Sequence, residues 1–266
     1  MTRFTRSIRA ALAAVMLSVL VVGAVPVTAA SSPDSLNLFR VEGFRYQDPN
    51  RYACTSAATM DMLNWIRLNG SGGTGFRWKI SRSAAMRDAI LAWERTHDTL
   101  AGGRGSDPHG WRNALNYYGW GSTALRPAYR RYEDRAFNSY DKAVKASVRA
   151  LIATRKPVGV IGWGGRHAQI IVGYYGLSGN PFVKNTAGVY TNEFSVEGFY
   201  LVDPLVSQAM VNVQVAYDTF KNSENPKLRF SPYLETDSPY DDAYSPGFRR
   251  SRDEWYRKFV TVMPIR

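Results

Sequence analysis

Between Cys54 and Leu68 the chain reads as a helix with almost no polar side. Ala57, Ala58, Met62, Trp65 and Ile66 recur at helical spacing, while Met60 and Leu63 lie off that stripe. A helix that is apolar on most sides belongs in the middle of a domain, because no orientation leaves such a surface facing water. This expectation constrains the fold most, since the remaining elements have to be arranged around the segment. Asn69-Gly70-Ser71-Gly72-Gly73 ends the helix and opens a loop.

The flanking elements follow from the same kind of reading. A second helix is expected over Ser81 to Leu100, with Ala85, Ile90, Leu91 and Trp93 inward. A third starts with Asp107 as cap and Pro108 in the first helical position and runs to about Tyr118. Ser122 to Tyr132 is strand-like. A fourth helix, Tyr140 to Thr154, presents Val144, Val148, Leu151 and Ile152 on one side. From Pro157 the texture turns to β, and Pro157 to Trp163, Ala168 to Tyr175, Gly198 to Val202 and Phe259 to Ile265 read as short buried strands. A short helix after Gln214 closes at Phe220. Pro226 to Phe248, with four prolines, is a long excursion of the kind that serves as a lid or mobile insertion. Helices first and strands afterwards predict an α+β domain in which a helical half packs on a largely antiparallel β-sheet.

The N-terminus carries Arg3, Arg6 and Arg9, an apolar run from Ala10 to Val22, and the small-residue segment Val27-Thr28-Ala29-Ala30. Residues 1–30 therefore read as a secretory signal peptide and 31–266 as one domain of a secreted chain. The apolar run is short for a membrane span, and no second run of about 18 apolar residues follows. A mature chain without a transmembrane segment or lipid anchor is expected. Removing the three leader arginines takes the formal charge from +12 to +9. That balance suits work near an anionic cell surface. The basic residues are scattered, and the longest cluster, Arg249-Arg250-Ser251-Arg252, is brief, which argues against nucleic acid as a partner. Cys54 is the only cysteine, so no internal disulfide can form, and a lone thiol in an exported chain needs a reason.

Four residues fit one kind of chemistry. Cys54 opens its helix, where unpaired backbone amides and the helix dipole favour negative charge on sulfur; the plainer reading is a buried structural cysteine. His167 sits at the mouth of an apolar strand after Gly164 and Gly165, a suitable place for a general base or for an imidazole satisfied by a carbonyl. Asp203, at the exit of the next strand, is placed to orient that imidazole, although Asp-Pro is also a turn signal. Gln47 precedes the cysteine and, with the Cys54 backbone amide, offers an oxyanion hole, unless it is an ordinary surface glutamine. His97 and His109 lie far in sequence from any second ligand cluster, so no metal and no cofactor are expected. Trp93, Trp111 and Trp120 suit a core better than a sugar-binding groove.

The order Gln47, Cys54, His167, Asp203 resembles papain-like cysteine peptidases, and specifically family 39 of that group, which includes the bacteriocin-processing, double-glycine-leader peptidases. The likeness extends to Lys156-Pro157-Val158-Gly159-Val160-Ile161 before the Gly-Gly-Arg-His segment, the Asp203-Pro204 strand end, Tyr217 and Phe220 on a short helix, and the closing strand from Val260 to Ile265. It covers roughly residues 40 to 266. The resemblance implies a papain-like fold and a bacterial, secreted hydrolase acting on a peptide or protein substrate. In it Cys54 is the nucleophile, His167 the base, Asp203 the orienting acid and Gln47 the oxyanion donor. Two departures stand out: Cys54-Thr55-Ser56 where the family commonly has Cys-Gly-Pro, and Arg166 between the glycine and the histidine. Two other readings accompany this one, a cell-wall amidase of the related papain-like branch and a non-catalytic module that keeps the fold for binding.

Overall fold

Helix α1 spans Cys54–Leu68, and every residue from Thr55 to Ile66 is buried. In this computed structural model the described residues are 32–46, 52–98, 105–121, 131–205, 211–225, 228–234 and 254–265. The expected signal peptide, Gln47 and most of the proline-rich stretch 226–248 lie outside them.

Two helices pack beside α1. Helix α2, Ala84–Arg95, begins at Ser83, whose side chain accepts from the Met86 amide. It starts later than the expected Ser81 because the Ser81 backbone is already engaged: its amide and carbonyl both bond the Asn64 side chain of α1. Helix α3, Pro108–Trp120, has Asp107 as cap and proline in its first turn, and stops at Gly121, which adopts a left-handed φ of 75°. Helix α4, Tyr140–Thr154, is capped by Ser139. A short helix α5, Tyr217–Asn222, comes late in the chain.

Among the described residues seven strands form one sheet: β1 Leu36–Asn37, β2 Tyr132–Phe137, β3 Val158–Gly162, β4 His167–Tyr175, β5 Gly198–Val202, β6 Val211–Ala216 and β7 Phe259–Pro264. Their order is β2-β7-β3-β4-β5-β6, with β1 added alongside β4, and every pairing is antiparallel. The last strand of the chain thus sits inside the sheet, where its Val260, Val262 and Met263 are buried. The domain is α+β with an antiparallel sheet, as the change of texture near Pro157 implies.

The strand expected over Ser122 to Tyr132 lies, from 122 to 130, outside the described residues; β2 starts at Tyr132 and runs on to Phe137. Its Glu133, Asp134 and Arg135 hide it in the sequence, yet charge is what an edge strand tolerates. The helix placed after Gln214 begins only at Tyr217, because Val211, Val213 and Val215 alternate along strand β6, the other edge.

The sheet is covered on both faces, not on one. Strand alternation sends Ile161, Ile170, Val202, Val260 and Val262 to the side of α1, α2 and α3. It sends Val158, Val160, Ile171 and Leu201 to the side of α4, with Phe220 of α5. Among the described residues no helix is long and apolar enough to cross a membrane.

Asn64 shows how a buried helix is fixed in place. Its amide nitrogen donates to the Gly43 and Ser81 carbonyls at 2.8 and 2.7 Å, and its oxygen accepts from Trp78 Nε1 and the Ser81 amide at 2.8 and 3.0 Å. All four bonding capacities of the amide are used. Asn64→Leu keeps the volume but leaves two donors and two carbonyls without this partner. It is expected to lower unfolding free energy by about 3 kcal/mol, measured by urea denaturation.

Candidate active site

Antiparallel register brings His167 and Asp203 together. Ile170 of β4 lies opposite Val202 of β5, so one step further Asp203 falls beside Gln169, and His167 is the next residue on the same face of β4. His167 Nε2 donates to Asp203 Oδ1 at 2.6 Å. The same oxygen accepts from the Leu205 amide at 2.8 Å, and Asp203 Oδ2 accepts from Gln169 Nε2 at 3.1 Å. His167 and Asp203 are only 3% and 0% exposed. Three protein donors meet this buried carboxyl where water is absent, and its orientation is set by the strand pair.

The turn that presents His167 is held from a distant part of the chain. Trp163, Gly164 and Gly165 all take positive φ, at 50°, 67° and 105°. Gly165 has no room for a side chain, since a Cβ there would stand 2.9 Å from the Tyr233 ring. The Trp163 amide donates to the Arg229 carbonyl, the Gly164 amide to Ser231 Oγ at 2.9 Å, and the Leu234 amide to the Gly164 carbonyl at 2.7 Å.

Cys54 is the first residue of α1, and the preceding Ala53 supplies no side-chain cap. The helix packs along β4, and the Cys54 side chain stands near enough to the His167 ring to act on its charge. Asp203 holds Nε2, which leaves Nδ1 for the sulfur. The thiol is free and half-buried, whereas its two partners are buried, so sulfur is the reachable member of the three. Burial by itself would lower the His167 pKa. The hydrogen bond to Asp203 and the nearness of Cys54, with their charges, outweigh it and push the imidazole up to about 9. At neutral pH the ring is therefore an imidazolium wedged between an acid and a thiol.

Of the four residues singled out in the sequence, the structure brings three together; Gln47 lies outside the described residues. Gln169 escaped notice. The signal was available, because one amide inside the otherwise apolar run from Ala168 to Val172 has to find a buried partner. Trp111 belongs to the core, with Trp93 and Trp120 packed against it.

A second histidine has acidic company. His109 Nε2 lies 3.3 Å from Asp134 Oδ2 and 3.6 Å from Glu254 Oε2. These three are spaced to hold a metal ion, their ligand atoms all within 4.8 Å of one another, a grouping that short sequence spacing could not reveal. Asp134 is already engaged: Oδ1 accepts from Arg112 at 2.6 Å and Oδ2 from Trp255 Nε1 at 3.2 Å. Burial works against charge on His109, but the Asp134 bond prevails and raises its pKa; Asp134 is lowered in turn, its own burial outweighed by His109 and Arg112. His109, Arg112, Asp134 and Glu254 thus form one polar group that joins α3, β2 and the start of the C-terminal segment.

No family model, curated protein or solved structure matches this chain.

Proposed function

We propose that the chain is a secreted cysteine-type hydrolase of papain-like fold that cleaves a peptide or amide bond through Cys54, His167 and Asp203. The observation that carries this reading is the buried imidazole held at 2.6 Å by Asp203, with the first residue of a helix, Cys54, near enough to act on its charge. Structural cysteines have no need of such a base, and an imidazole satisfied by backbone has no need of the acid.

In this mechanism the Cys54 thiolate, paired with the His167 imidazolium, attacks the carbonyl carbon, and the electron pair of the C=O bond moves to oxygen. The Cys54 backbone amide donates to that oxyanion, with Gln47 assigned as the second donor on sequence order. His167 gives its proton to the leaving nitrogen as the C–N bond breaks, leaving a thioester and an amine. Neutral His167 then takes a proton from water as the water oxygen attacks the thioester. Loss of the sulfur as thiolate releases the carboxylic product and restores the ion pair. Asp203 keeps Nδ1 of the ring aimed at sulfur throughout, and Gln169 keeps Asp203 in place.

Cys54→Ala should lower hydrolysis of a fluorescent casein or of peptidoglycan peptides at least about a thousandfold while leaving the circular dichroism spectrum unchanged. Hydrolysis at the wild-type rate in that variant would refute the proposal. Because the folded His167 pKa of about 9 lies above its ordinary 6.5, the stability that the imidazolium gains from its partners is fully present below about 6.5 and is lost as pH rises through about 9. An imidazolium beside sulfur favours the thiolate, so iodoacetamide should alkylate Cys54 faster at pH 5 to 6 than it does an ordinary cysteine, with a pKa of about 8.5. Hydrolysis should decline above about pH 9. In Asp203→Asn the loss of the acid should move this alkaline limb down by about one to two units.

A further inference from the structure

Beside the turn that carries Cys54 lies a carboxyl group that the mechanism does not use. Glu94, in the last turn of α2, is fully buried, and its oxygens accept from Thr55 Oγ1 at 2.7 Å and from Thr59 Oγ1 at 2.9 Å. Thr55 directly follows Cys54, and Thr59 lies one turn further along the same side of α1. Threonine is a poor choice for a buried helix on propensity alone, and a buried carboxyl costs stability unless its bonds are made. Two hydroxyls converging on one acid from adjacent turns are therefore a built arrangement. It is found where α1 lacks the usual end fixture, since Ala53 offers no side-chain cap. It also accounts for one departure from the resembled family: glycine, common after the cysteine there, has no hydroxyl to reach the acid.

The charge of the group fits this position. The groups facing Glu94 are Asp107 at the start of α3, Asp98 beyond the end of α2, neighbouring Arg95, and Tyr118 of α3. Burial is the largest influence, the two threonine bonds oppose it, and the carboxyl is pushed up to about 8. At neutral pH Glu94 is thus mostly protonated and adds little negative charge beside the turn where a thiolate forms.

We propose that Glu94 is a positioning residue, which through Thr55 and Thr59 fixes the first turn of α1 and so aims the Cys54 sulfur at His167. The inference rests on the reading of Cys54 as nucleophile; Glu94 itself touches neither substrate nor the reacting atoms. The test is the iodoacetamide alkylation rate of Cys54 at pH 6, with folding followed by circular dichroism and thermal melting. Thr55→Val, which removes one hydroxyl at constant shape, and Glu94→Leu should each slow alkylation about tenfold in protein that remains folded. Thr55→Ser and Glu94→Gln, which keep a hydroxyl and an acceptor, should stay within about twofold of wild type. If Glu94→Leu fails to fold, the Thr55 pair decides alone. Wild-type alkylation rates in folded Thr55→Val, or equal slowing in Thr55→Val and Thr55→Ser, would overturn the clamp. Slow alkylation of the wild-type protein at pH 6 would instead remove the nucleophile reading, and the clamp with it.

Discussion

A helix enclosed on all sides has no water to satisfy its polar side chains, so each must find a protein partner or leave the core. Helix α1 carries five such residues besides its apolar ones, and together they claim several separate pieces of chain. Thr55 and Thr59 take Glu94 of α2. Asp61 takes the Arg45 amide, and Asn64 takes Gly43, Trp78 and Ser81. Ser56 turns back to the Ala53 carbonyl. Near the far end Trp65 Nε1 and Asn69 reach the carbonyls of Arg40 and Leu38. Hydrophobic burial alone would let this helix rotate or slide among near-equivalent packings. The polar bonds select one rotation and one depth, and that choice sets where Cys54 stands relative to β4.

Two histidines in this molecule are bonded to aspartates and raised in pKa, and their surroundings differ. Asp134 divides its oxygens among His109, Arg112 and Trp255, and the Glu254 carboxylate closes the group. Its outcome is cohesion between elements. Asp203 is fed by neutral donors, Leu205 and Gln169, so the only cation it faces in that set is His167. The remaining company of each ring completes the difference: a second carboxylate at the same nitrogen for His109, a half-buried thiol for His167.

Periodicity and end signals made much of this legible. The bounds of α1 and α4 and of strand β5 follow from apolar spacing and from Asn69-Gly70, and Asp107-Pro108 announces α3. Edge elements were not legible, because β2 and β6 each meet water along one margin and their residues need not be apolar; Tyr132 to Phe137 reads as a charged loop until β7 is there to pair with it. The three joined site residues were readable through their order and local setting. The partners of Gln169 and Glu94 were not, since nothing in the sequence near either residue names the element that its buried polar group will meet.

The turn before His167 is tied to Arg229, Ser231 and Leu234, and strand β3, which feeds it, lies between β4 and the final strand β7. The frame around His167 is thus built from residues far downstream of it, so a change in β7 or in the tie from Arg229 to Leu234 would be felt at the histidine through β3 and the turn.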